Sequence, residues 1–254
     1  MLFFWKKCKS YFILSCGINA KLIQLNNFKI IQSLNFPTTD HKTNLKKLST
    51  GEIVVSAREG KIYFCNYKDK KLELINEFSI TPHRPLSVYE CNNNREIMIL
   101  DFEFEKRLHL LFYDIKTKNR IAIISDDKNL INIGDFQLIN NSSYEQINEK
   151  YVIVGMYGKI CIINLTDHSI YKSIQLQYDY FITCALKLDD KNLFFSDDRG
   201  NIYEFEIDDK DINIKFKDIF AAHGESPIYQ IAKYQENNIL SSGWDGKIRV
   251  WKLI

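Results

Sequence analysis

The sequence predicts an all-β fold of about six four-stranded antiparallel sheets, the architecture of a β-propeller, and three observations support this prediction. First, residues 238–253 read NILSSGWDGKIRVWKL, with apolar or small residues alternating with polar ones on both sides of a turn. Second, the tripeptide Gly246-Lys247-Ile248 of this stretch recurs upstream at a regular spacing. Third, no segment shows a sustained apolar stripe with the period of about 3.6 residues that marks an amphipathic helix.

The stretch 238–253 is predicted to form a β-hairpin. Asp245 and Gly246 lie between the runs ILSSG and KIRVWKL. Asp-Gly is a strong hairpin signal here, because a tight turn between antiparallel strands needs residues that tolerate positive φ. The two runs are therefore predicted to be neighbouring strands.

Five upstream segments resemble this hairpin. The closest copies are Gly60-Lys61-Ile62, Gly158-Lys159-Ile160 and Gly200-Asn201-Ile202, and weaker copies are Ala20-Lys21-Leu22 and Arg107-Leu108. Successive copies lie 40, 46, 52, 42 and 46 residues apart. A repeat of roughly 40–45 residues with four strands in each unit is typical of propeller blades.

Each unit is predicted to add two more strands to its hairpin. One follows the hairpin, as in Lys29–Leu34, Leu72–Phe78, Arg120–Ser125, Ile170–Leu176 and Ile212–Ile219. Another precedes the next hairpin, as in Leu86–Glu90, Phe181–Leu188 and Ile228–Tyr234. No Gly/Ser-rich or Pro-rich linker interrupts the series, so a single domain over residues 1–254 is predicted, with radial repetition leaving only short sheet edges.

The number of blades and the closure of the ring are left open by the sequence. Six hairpins are visible, and the last unit stops directly after its third strand. Leu2–Trp5 could supply the missing outer strand, but the first unit would then lack its innermost strand. Six blades with an imperfect seam, a ring completed by a partner, and a shortened chain of a seven-bladed family are all compatible with this count.

Composition favours an intracellular protein with no electrostatic preference for nucleic acid or membranes. The net charge is +2, from 34 basic and 32 acidic residues, and basic residues are spread over predicted loops such as Lys42–Lys47 and Lys68–Lys71. The N-terminal apolar runs are split by lysines and are too short for a signal peptide or a membrane span. Six cysteines without a Cys-x-x-Cys pair are predicted to be reduced thiols: Cys8, Cys16, Cys65, Cys91, Cys161 and Cys184. A cytoplasmic or nuclear location is expected.

The sequence contains no familiar catalytic signature. The carboxylate pairs Asp189-Asp190 and Asp197-Asp198 fall where aspartate caps turns. The five histidines show no metal-ligand spacing, and neither a nucleophile elbow nor a phosphate-binding glycine loop is present. We therefore predict a protein that is not an enzyme, with no catalytic or metal site, no cofactor and no small-molecule substrate.

The last repeat resembles the WD40 family. In that family a His before the first strand, a Ser or Thr in the second, an Asp in the turn and a Trp in the third form a buried hydrogen-bonded set. Here His223, Ser241 or Ser242, Asp245 and Trp251 match this pattern. In the upstream units other residues stand at or near the place of the Trp, namely Leu25, Cys65, Tyr113, Asn164 and Phe205. The resemblance implies a structural network at these positions, although His223, Asp245 and Ser242 superficially suggest a catalytic triad.

The resemblance also implies a function. WD40 propellers act as platforms in multiprotein complexes, so a non-catalytic scaffold with protein partners is expected. Residues 192–251 are similar to the later blades of the ASTRA-associated, G-protein-β-like propellers, which implies assembly of large kinases or chromatin complexes. The alternative is a WD40-fold hydrolase resembling diphthine methylesterase, which would need a nucleophile and a base converging on one face.

A candidate interaction face follows from the predicted hairpin turns. Exposed loops on a rigid scaffold concentrate binding residues, and aromatic and arginine side chains are the usual anchors of interfaces. Four such residues fall in the turns between second and third strands, namely Arg58, Tyr157, Arg199 and Trp244. We expect them to cluster on one face.

Overall fold

The computed structural model describes residues 2–3, 11–16, 19–24, 27, 29–37, 42–57, 59–69, 71–80, 84–91, 95–102, 108–125, 143–208, 212–235 and 238–252. These residues form 23 β-strands and no helix. They group into two compact units, residues 1–131 and 132–254. The predicted single domain over residues 1–254 stays a prediction.

The first unit contains three four-stranded antiparallel sheets. In chain order, sheet 1 contains β1 (Leu2–Phe3), β2 (Tyr11–Cys16), β3 (Asn19–Gln24) and β4 (Ile30–Asn35). Sheet 2 contains β5 (Lys42–Lys47), β6 (Ile53–Ala57), β7 (Lys61–Lys68) and β8 (Lys71–Ser79). Sheet 3 contains β9 (Arg84–Cys91), β10 (Glu96–Phe102), β11 (Leu108–Asp114) and β12 (Arg120–Ser125).

The second unit contains two more four-stranded sheets and one of three strands. Sheet 4 contains β13 (Tyr144–Gln146), β14 (Tyr151–Gly155), β15 (Lys159–Asn164) and β16 (Ser169–Gln175). Sheet 5 contains β17 (Ile182–Lys187), β18 (Asn192–Asp197), β19 (Asn201–Asp208) and β20 (Asn213–Ala221). Sheet 6 contains only β21 (Ile228–Tyr234), β22 (Asn238–Gly243) and β23 (Ile248–Lys252) within the described residues.

The prediction of an all-β chain with four-stranded antiparallel sheets is confirmed for five sheets. The strands predicted to flank the hairpins begin and end within two residues of the observed strands. The N-terminal strand does not complete the last sheet, because Leu2 and Phe3 pair with Leu14 and Ile13 of β2.

One predicted loop is a strand. Residues 42–47 were predicted to be a basic loop but form β5, because Leu45 is buried and pairs with Val55 of β6. Lys68 and Lys71, also assigned to a loop, are the closing pair of the β7–β8 hairpin. A strand with a single apolar residue between lysines has too little alternation to be recognised.

The core of each unit lies between consecutive sheets. Ala20, Phe36 and Tyr63 belong to a buried cluster of sheets 1 and 2, and a second cluster joins sheets 2 and 3. In the second unit, one cluster joins sheets 4 and 5 and another joins sheets 5 and 6. Both faces of an inner sheet are therefore apolar, which explains continuous buried strands such as Ile53–Ala57.

The third and fourth strands pair in one register in all five complete sheets. The same pair of apolar positions recurs as Ala20 with Leu34, Ile62 with Phe78, Leu110 with Ile124, Ile160 with Ile174, and Ile202 with Phe220. A β-bulge follows this pair at the same distance in every sheet, between residues 22/23, 64/65, 112/113, 162/163 and 204/205. The shared register defines equivalent positions across the repeats. Ile248 of β23 is the equivalent, in sheet 6, of Ala20, Ile62, Leu110, Ile160 and Ile202. The register also shows that the sequence copies around Lys21 and Arg107 were aligned two residues out of place.

Candidate interaction surface

A chain of hydrogen bonds joins β22 and β23 of sheet 6 to the loop that precedes β21. Trp251 Nε1–H donates to Ser241 Oγ over 2.8 Å, and Ser241 Oγ lies 2.7 Å from His223 Nε2. The other ring nitrogen of His223, Nδ1, lies 2.9 Å from Asp245 Oδ1. With the Trp251 N–H directed at Ser241 Oγ, the Ser241 hydroxyl donates to Nε2 and the Nδ1–H donates to Asp245. The structure thus brings together His223, Ser241, Asp245 and Trp251.

Ser242 is not part of this chain of hydrogen bonds. Neighbouring residues of a strand point to opposite faces, so Ser241 and Ser242 cannot both reach His223. Ser241 is buried, whereas Ser242 is half-buried on the other face.

Arg249 is a member of the network that the sequence did not reveal. Its guanidinium donates to Asp245 Oδ2 over 2.5 Å. Burial would raise the pKa of Asp245, but hydrogen bonds from Arg249, His223 and the Lys247 N–H outweigh it and hold the pKa below its usual range. Asp245 is therefore ionised at any physiological pH and anchors the turn. Because Arg249 alternates with the apolar residues of β23, it reads in the sequence as an ordinary exposed position.

Gly243 makes room for the imidazole ring. A Cβ atom at this position would lie 2.4 Å from His223 Nδ1. Any larger residue would displace the ring from Asp245. The network therefore requires a glycine at position 243 as well as its polar side chains.

The complete sheets fill the same positions with apolar side chains. By strand pairing, Ser241 corresponds to Leu14, Val55, Ile99, Val154 and Phe195. Trp251 corresponds to Ile23, Cys65, Tyr113, Ile163 and Phe205. In sheet 5 the rings of Phe195 and Phe205 meet edge to face at 5.9 Å, where sheet 6 has the Ser241–Trp251 hydrogen bond. Leu25 and Asn164, aligned with Trp251 in the sequence, were wrong choices, since the strand register places Ile23 and Ile163 there.

Sheet 5 has a different polar anchor at the end of β18. The Asp197 carboxylate is fully buried and accepts four hydrogen bonds at 2.8–2.9 Å, from the backbone N–H groups of Arg199 and Asn201, the Asn201 amide and the Tyr203 hydroxyl. Burial, and then the charge of Asp197, raises the pKa of Tyr203. Asp197 thus acts as the turn cap that the sequence predicted for the pair Asp197-Asp198.

Asp198 has a perturbed acidity but no catalytic partner in its described contacts. Burial and the neighbouring Asp197 raise the pKa of Asp198 to about 6. The carboxylate accepts a hydrogen bond from the Phe181 N–H over 3.1 Å, and the Asp198 N–H donates to Phe181 O over 2.9 Å. These reciprocal bonds tie the turn of sheet 5 to the segment that enters the sheet.

Two of the four candidate interface residues lie in one cluster. Tyr157 and Arg199 occupy the β14–β15 and β18–β19 turns, and both contact the segment 176–181 that connects sheets 4 and 5. The Tyr157 ring lies 4.8 Å from Phe181, and the Arg199 guanidinium lies over the ring of Tyr180 at 5.8 Å. Tyr180 in turn stacks on Tyr178 at 5.3 Å. We call Tyr157, Tyr178, Tyr180 and Arg199 the turn cluster.

The turn cluster is partly exposed. Tyr178 and Arg199 are exposed, whereas Tyr157 and Tyr180 are half-buried. Burial, and then the carboxylates of Asp179 and Asp198, raises the pKa of Tyr157, so its hydroxyl stays neutral and available as a donor. Tyr178 and Tyr180 were missed in the sequence because they lie outside the hairpin turns, although the run QYDYF is the densest aromatic segment of this loop.

Trp244 does not share the described contacts of the turn cluster. Trp244 is 56% exposed and its ring faces Tyr229 of its own sheet at 6.2 Å. Its backbone N–H donates to Pro227 O over 2.9 Å, which holds the turn against the loop that enters sheet 6. Arg58 lies outside the described residues.

An open cleft in the first unit has a charged lining. It encloses about 610 Å³ and is lined by Thr50, Glu52, Ile75, Asn76, Arg95, Asp114, Ile115, Lys116 and Lys118. Burial lowers the pKa of Lys118, whose ammonium lies 3.4 Å from the centroid of the Phe64 ring. Within this lining the Thr50 hydroxyl donates to Glu52 Oε2 over 3.1 Å, a contact inside the turn between β5 and β6.

Metal and membrane signals were also sought in the described part of the chain. There, no group of three or more His, Cys, Asp or Glu side chains is placed to hold a metal ion. The same residues contain no helix long and apolar enough to cross a membrane.

Comparison with known proteins identifies the fold. No family model and no curated protein matches the sequence. Among solved structures, the β-propeller domain of Cps50 (Swd1) from Myceliophteria thermophila matches with a TM-score of 0.73 and 12% identity, over 99% of this chain and 82% of that one. The fold is that of a WD40 β-propeller. The C-terminal WD40 domain of Sif2 matches with a TM-score of 0.70 and 17% identity, over 97% and 67% of the two chains.

A third WD40-type match comes from an assembly. A chain in the structure of a mitotic checkpoint complex has a TM-score of 0.75 and 8% identity, over 98% of this chain and 73% of that one. Identities this low establish the fold and leave the function to the residues of this chain. Among the described sheets, only sheet 6 carries the hydrogen-bonded set that the WD40 resemblance implied.

Proposed function

We propose that this WD40 propeller is a non-catalytic scaffold that binds other proteins in a multiprotein complex. The observation that carries the proposal is the turn cluster, in which three tyrosines and an arginine lie partly exposed at the turns of sheets 4 and 5 and in the segment between these sheets. Tyrosine, tryptophan and arginine are enriched at the energetic centres of protein interfaces. A rigid sheet scaffold presents them at low entropic cost, because Tyr180 is already packed on Tyr178 and Arg199, and Tyr157 on Phe181.

The partners proposed here are proteins in the cytoplasm or nucleus. The net charge of +2 and the dispersal of basic residues along the sequence favour protein partners over nucleic acid or anionic membranes. From the resemblance in residues 192–251, we propose that the complex is of the ASTRA, kinase-assembly or chromatin type. We also propose that the six sheets are six blades of one propeller.

Affinity purification of the tagged protein from its own cells, followed by mass spectrometry, tests this proposal. We expect a stoichiometric set of protein partners, which is weakened in the double variant Tyr178→Ala/Arg199→Ala. Tyr171→Ala is the matched control, since this tyrosine is 52% exposed on the outer strand of sheet 4, away from the turns. A protein that purifies alone would contradict the scaffold proposal and favour the hydrolase alternative. An unchanged set of partners in the double variant would exclude the turn cluster as the binding site.

A further inference from the structure

Strand β23 is the outermost strand of sheet 6 in the described part of the chain. Sheet 6 has the order β21-β22-β23, whereas the third strand of each other sheet is covered by a fourth. Leu2 and Phe3, which the sequence offered as a strand for this sheet, pair with β2 in sheet 1. An uncovered edge presents unpaired backbone N–H and C=O groups to any extended segment.

The side chains of β23 are exposed where their equivalents are buried. Ile248 is 74% exposed, while its five equivalents, Ala20, Ile62, Leu110, Ile160 and Ile202, are all 0% exposed. Val250 is 56% exposed, whereas its equivalents Leu22, Phe64, Phe112 and Ile162 are at most 1% exposed. Only Glu204 of sheet 5 breaks the apolar series at that position. Two large apolar residues on an uncovered edge are a feature that soluble proteins normally avoid.

In the complete sheets this position packs against the next sheet and is flanked by an outer strand, as Ile202 does with Ile228 and Ile231 of sheet 6 on its face and β20 at its edge. Opposite the equivalents of Ile248, the outer strands carry Leu34, Phe78, Ile124, Ile174 and Phe220. A bulky apolar residue is therefore the rule at that site. Each outer strand also contains the β-bulge, a device that protects sheet edges from further pairing. Sheet 6 lacks both the apolar cover and the bulge among its described strands.

Backbone geometry matches the side-chain evidence. In sheet 5 the Ala222 N–H donates to Gly200 O over 2.7 Å, so the alternate residues Ile202 and Glu204 direct their backbone groups to the outer strand. By the shared register, the N–H and C=O groups of Ile248 and Val250 point to the open edge of sheet 6. The same two residues thus offer both hydrogen bonds and apolar side chains.

The positive charge of Lys247 favours an acidic residue in the fourth strand. Lys61 of β7 pairs with Glu77 of the outer strand β8 at 3.2 Å, and Glu77 is the residue just before Phe78. Lys247 is the equivalent of Lys61, and its side chain is exposed. A carboxylate next to the apolar residue would complete the same pair at sheet 6.

We propose that an extended segment of a partner protein adds to β23 as an antiparallel fourth strand. It places a bulky apolar side chain opposite Ile248 and an acidic residue beside it, facing Lys247. Main-chain hydrogen bonds supply affinity and the alternate side chains supply specificity, as in other β-strand additions. The proposal rests on the scaffold function only in that the strand comes from another protein.

Hydrogen exchange on the purified full-length protein tests the edge directly. In the free protein, the amides of Ile248, Val250 and Lys252 are expected to exchange fast, while that of Ile202 is protected. The probe is a synthetic peptide of sequence KLELINEFS, a copy of β8, which has the apolar residue and the preceding glutamate. Saturating peptide is expected to slow exchange at the β23 amides. The same peptide with its phenylalanine replaced by serine is expected to bind about tenfold more weakly or worse.

Two variants separate strand addition from unspecific binding. Val250→Pro removes an edge N–H that β22 does not use, so the sheet is expected to stay folded and peptide protection to disappear. Val250→Thr keeps the N–H and is the control, with protection retained. Should the proline variant fail to fold, Ile248→Lys replaces it, because a charge at this exposed position opposes the apolar side chain of the peptide.

Three results would overturn the proposal. Slow exchange at the β23 amides in the free monomer would show that the chain completes the sheet itself. Protection that rises with protein concentration would identify a second copy as the occupant. Absence of peptide protection in the wild-type protein would show that the edge does not accept a strand. Since only purified protein and peptide are used, each result is independent of the turn cluster and of the partners found in cells.

Discussion

Ser241 is the residue on which the polar network of sheet 6 depends. It is 1% exposed, accepts from Trp251 and donates to His223, so its hydroxyl serves two ring nitrogen atoms at once. A buried polar group that loses its partner costs more than the hydrogen bond itself contributes, because its desolvation is no longer compensated. Single losses in this network are therefore expected to be costly.

Ser241→Ala is expected to lower the free energy of unfolding by about 1–3 kcal/mol, because it leaves Trp251 Nε1 and His223 Nε2 without their shared partner. Ser242→Ala is the matched control, one residue away on the opposite strand face, and should change stability by no more than about 0.5 kcal/mol. Urea unfolding of both variants measures the difference. Equal losses would mean that the network does not stabilise sheet 6.

Asp198→Asn is expected to stabilise the protein at neutral pH. Because the pKa of Asp198 is raised to about 6 in the folded state, the folded protein holds this proton more tightly than the unfolded chain. Stability then falls as pH rises from about 4 to 6, and the ionised carboxylate is a penalty of about 3 kcal/mol at pH 7. Asparagine keeps the oxygen that accepts from Phe181 and removes the charge.

Thermal melts over a pH series measure the effect of this substitution. The gain in melting temperature of Asp198→Asn should be full at pH 7 and vanish below about pH 4, where the wild-type carboxyl is already protonated. A gain that does not depend on pH would assign the effect to something other than the charge of Asp198.

At the scale of elements, the turns of the second unit lock neighbouring sheets together through backbone contacts. Gly200 O in the β18–β19 turn accepts from the N–H groups of Ala222 and His223 at 2.7 and 3.0 Å. The loop that begins with these residues leads into sheet 6. The turn of sheet 5 therefore also positions His223 for the network of the next sheet.

Gly200→Ala is expected to destabilise the second unit more than Gly224→Ala. Both glycines have positive φ, 82° and 61°, so both substitutions strain the backbone by about 1–2 kcal/mol. Only at Gly200 would the new Cβ also meet backbone atoms, at 2.4 Å from Gly224 O and 2.7 Å from Ser226 O, whereas nothing lies within 4 Å at Gly224. Guanidinium unfolding of both variants compares them, and equal destabilisation would show that the loop yields without cost.

At the scale of the whole molecule, repetition is what made the fold predictable. Hairpins around Gly60, Gly158 and Gly200 were recognised by a turn glycine and apolar alternation, and eight strands that flank the hairpins were predicted to within two residues. The strand β5 was missed, since Lys42–Lys47 has one inward apolar residue and its structure depends on pairing with β6. Alignment within sheets 1 and 3 also failed, because their turns lack the Gly-Lys-Ile pattern and only the bulge reveals their register.

The candidate surface was less predictable than the fold for a physical reason. Turn positions could be read from the sequence, and this found Tyr157, Arg199 and Trp244. What lies against a turn depends on the connection between sheets, so the contribution of Tyr178 and Tyr180 required the structure. For the same reason Arg249 could not be recognised as the partner of Asp245.

The exchange of Ser241–Trp251 for Phe195–Phe205 between neighbouring sheets has a consequence for how such repeats diverge. A repeat that has lost only one of the two polar residues leaves a buried donor or acceptor without a hydrogen-bond partner and is destabilised. A repeat in which both residues are apolar does not carry this cost. Repeats that have lost part of the polar set are therefore expected to be less stable than repeats with all of it or none of it. Divergence should leave mostly repeats of these two kinds. In this chain sheet 6 has the whole set and the matching pair of positions is apolar in the other five sheets. A repeat family can in this way retain its geometry after the residues that define its signature have disappeared from most of its members.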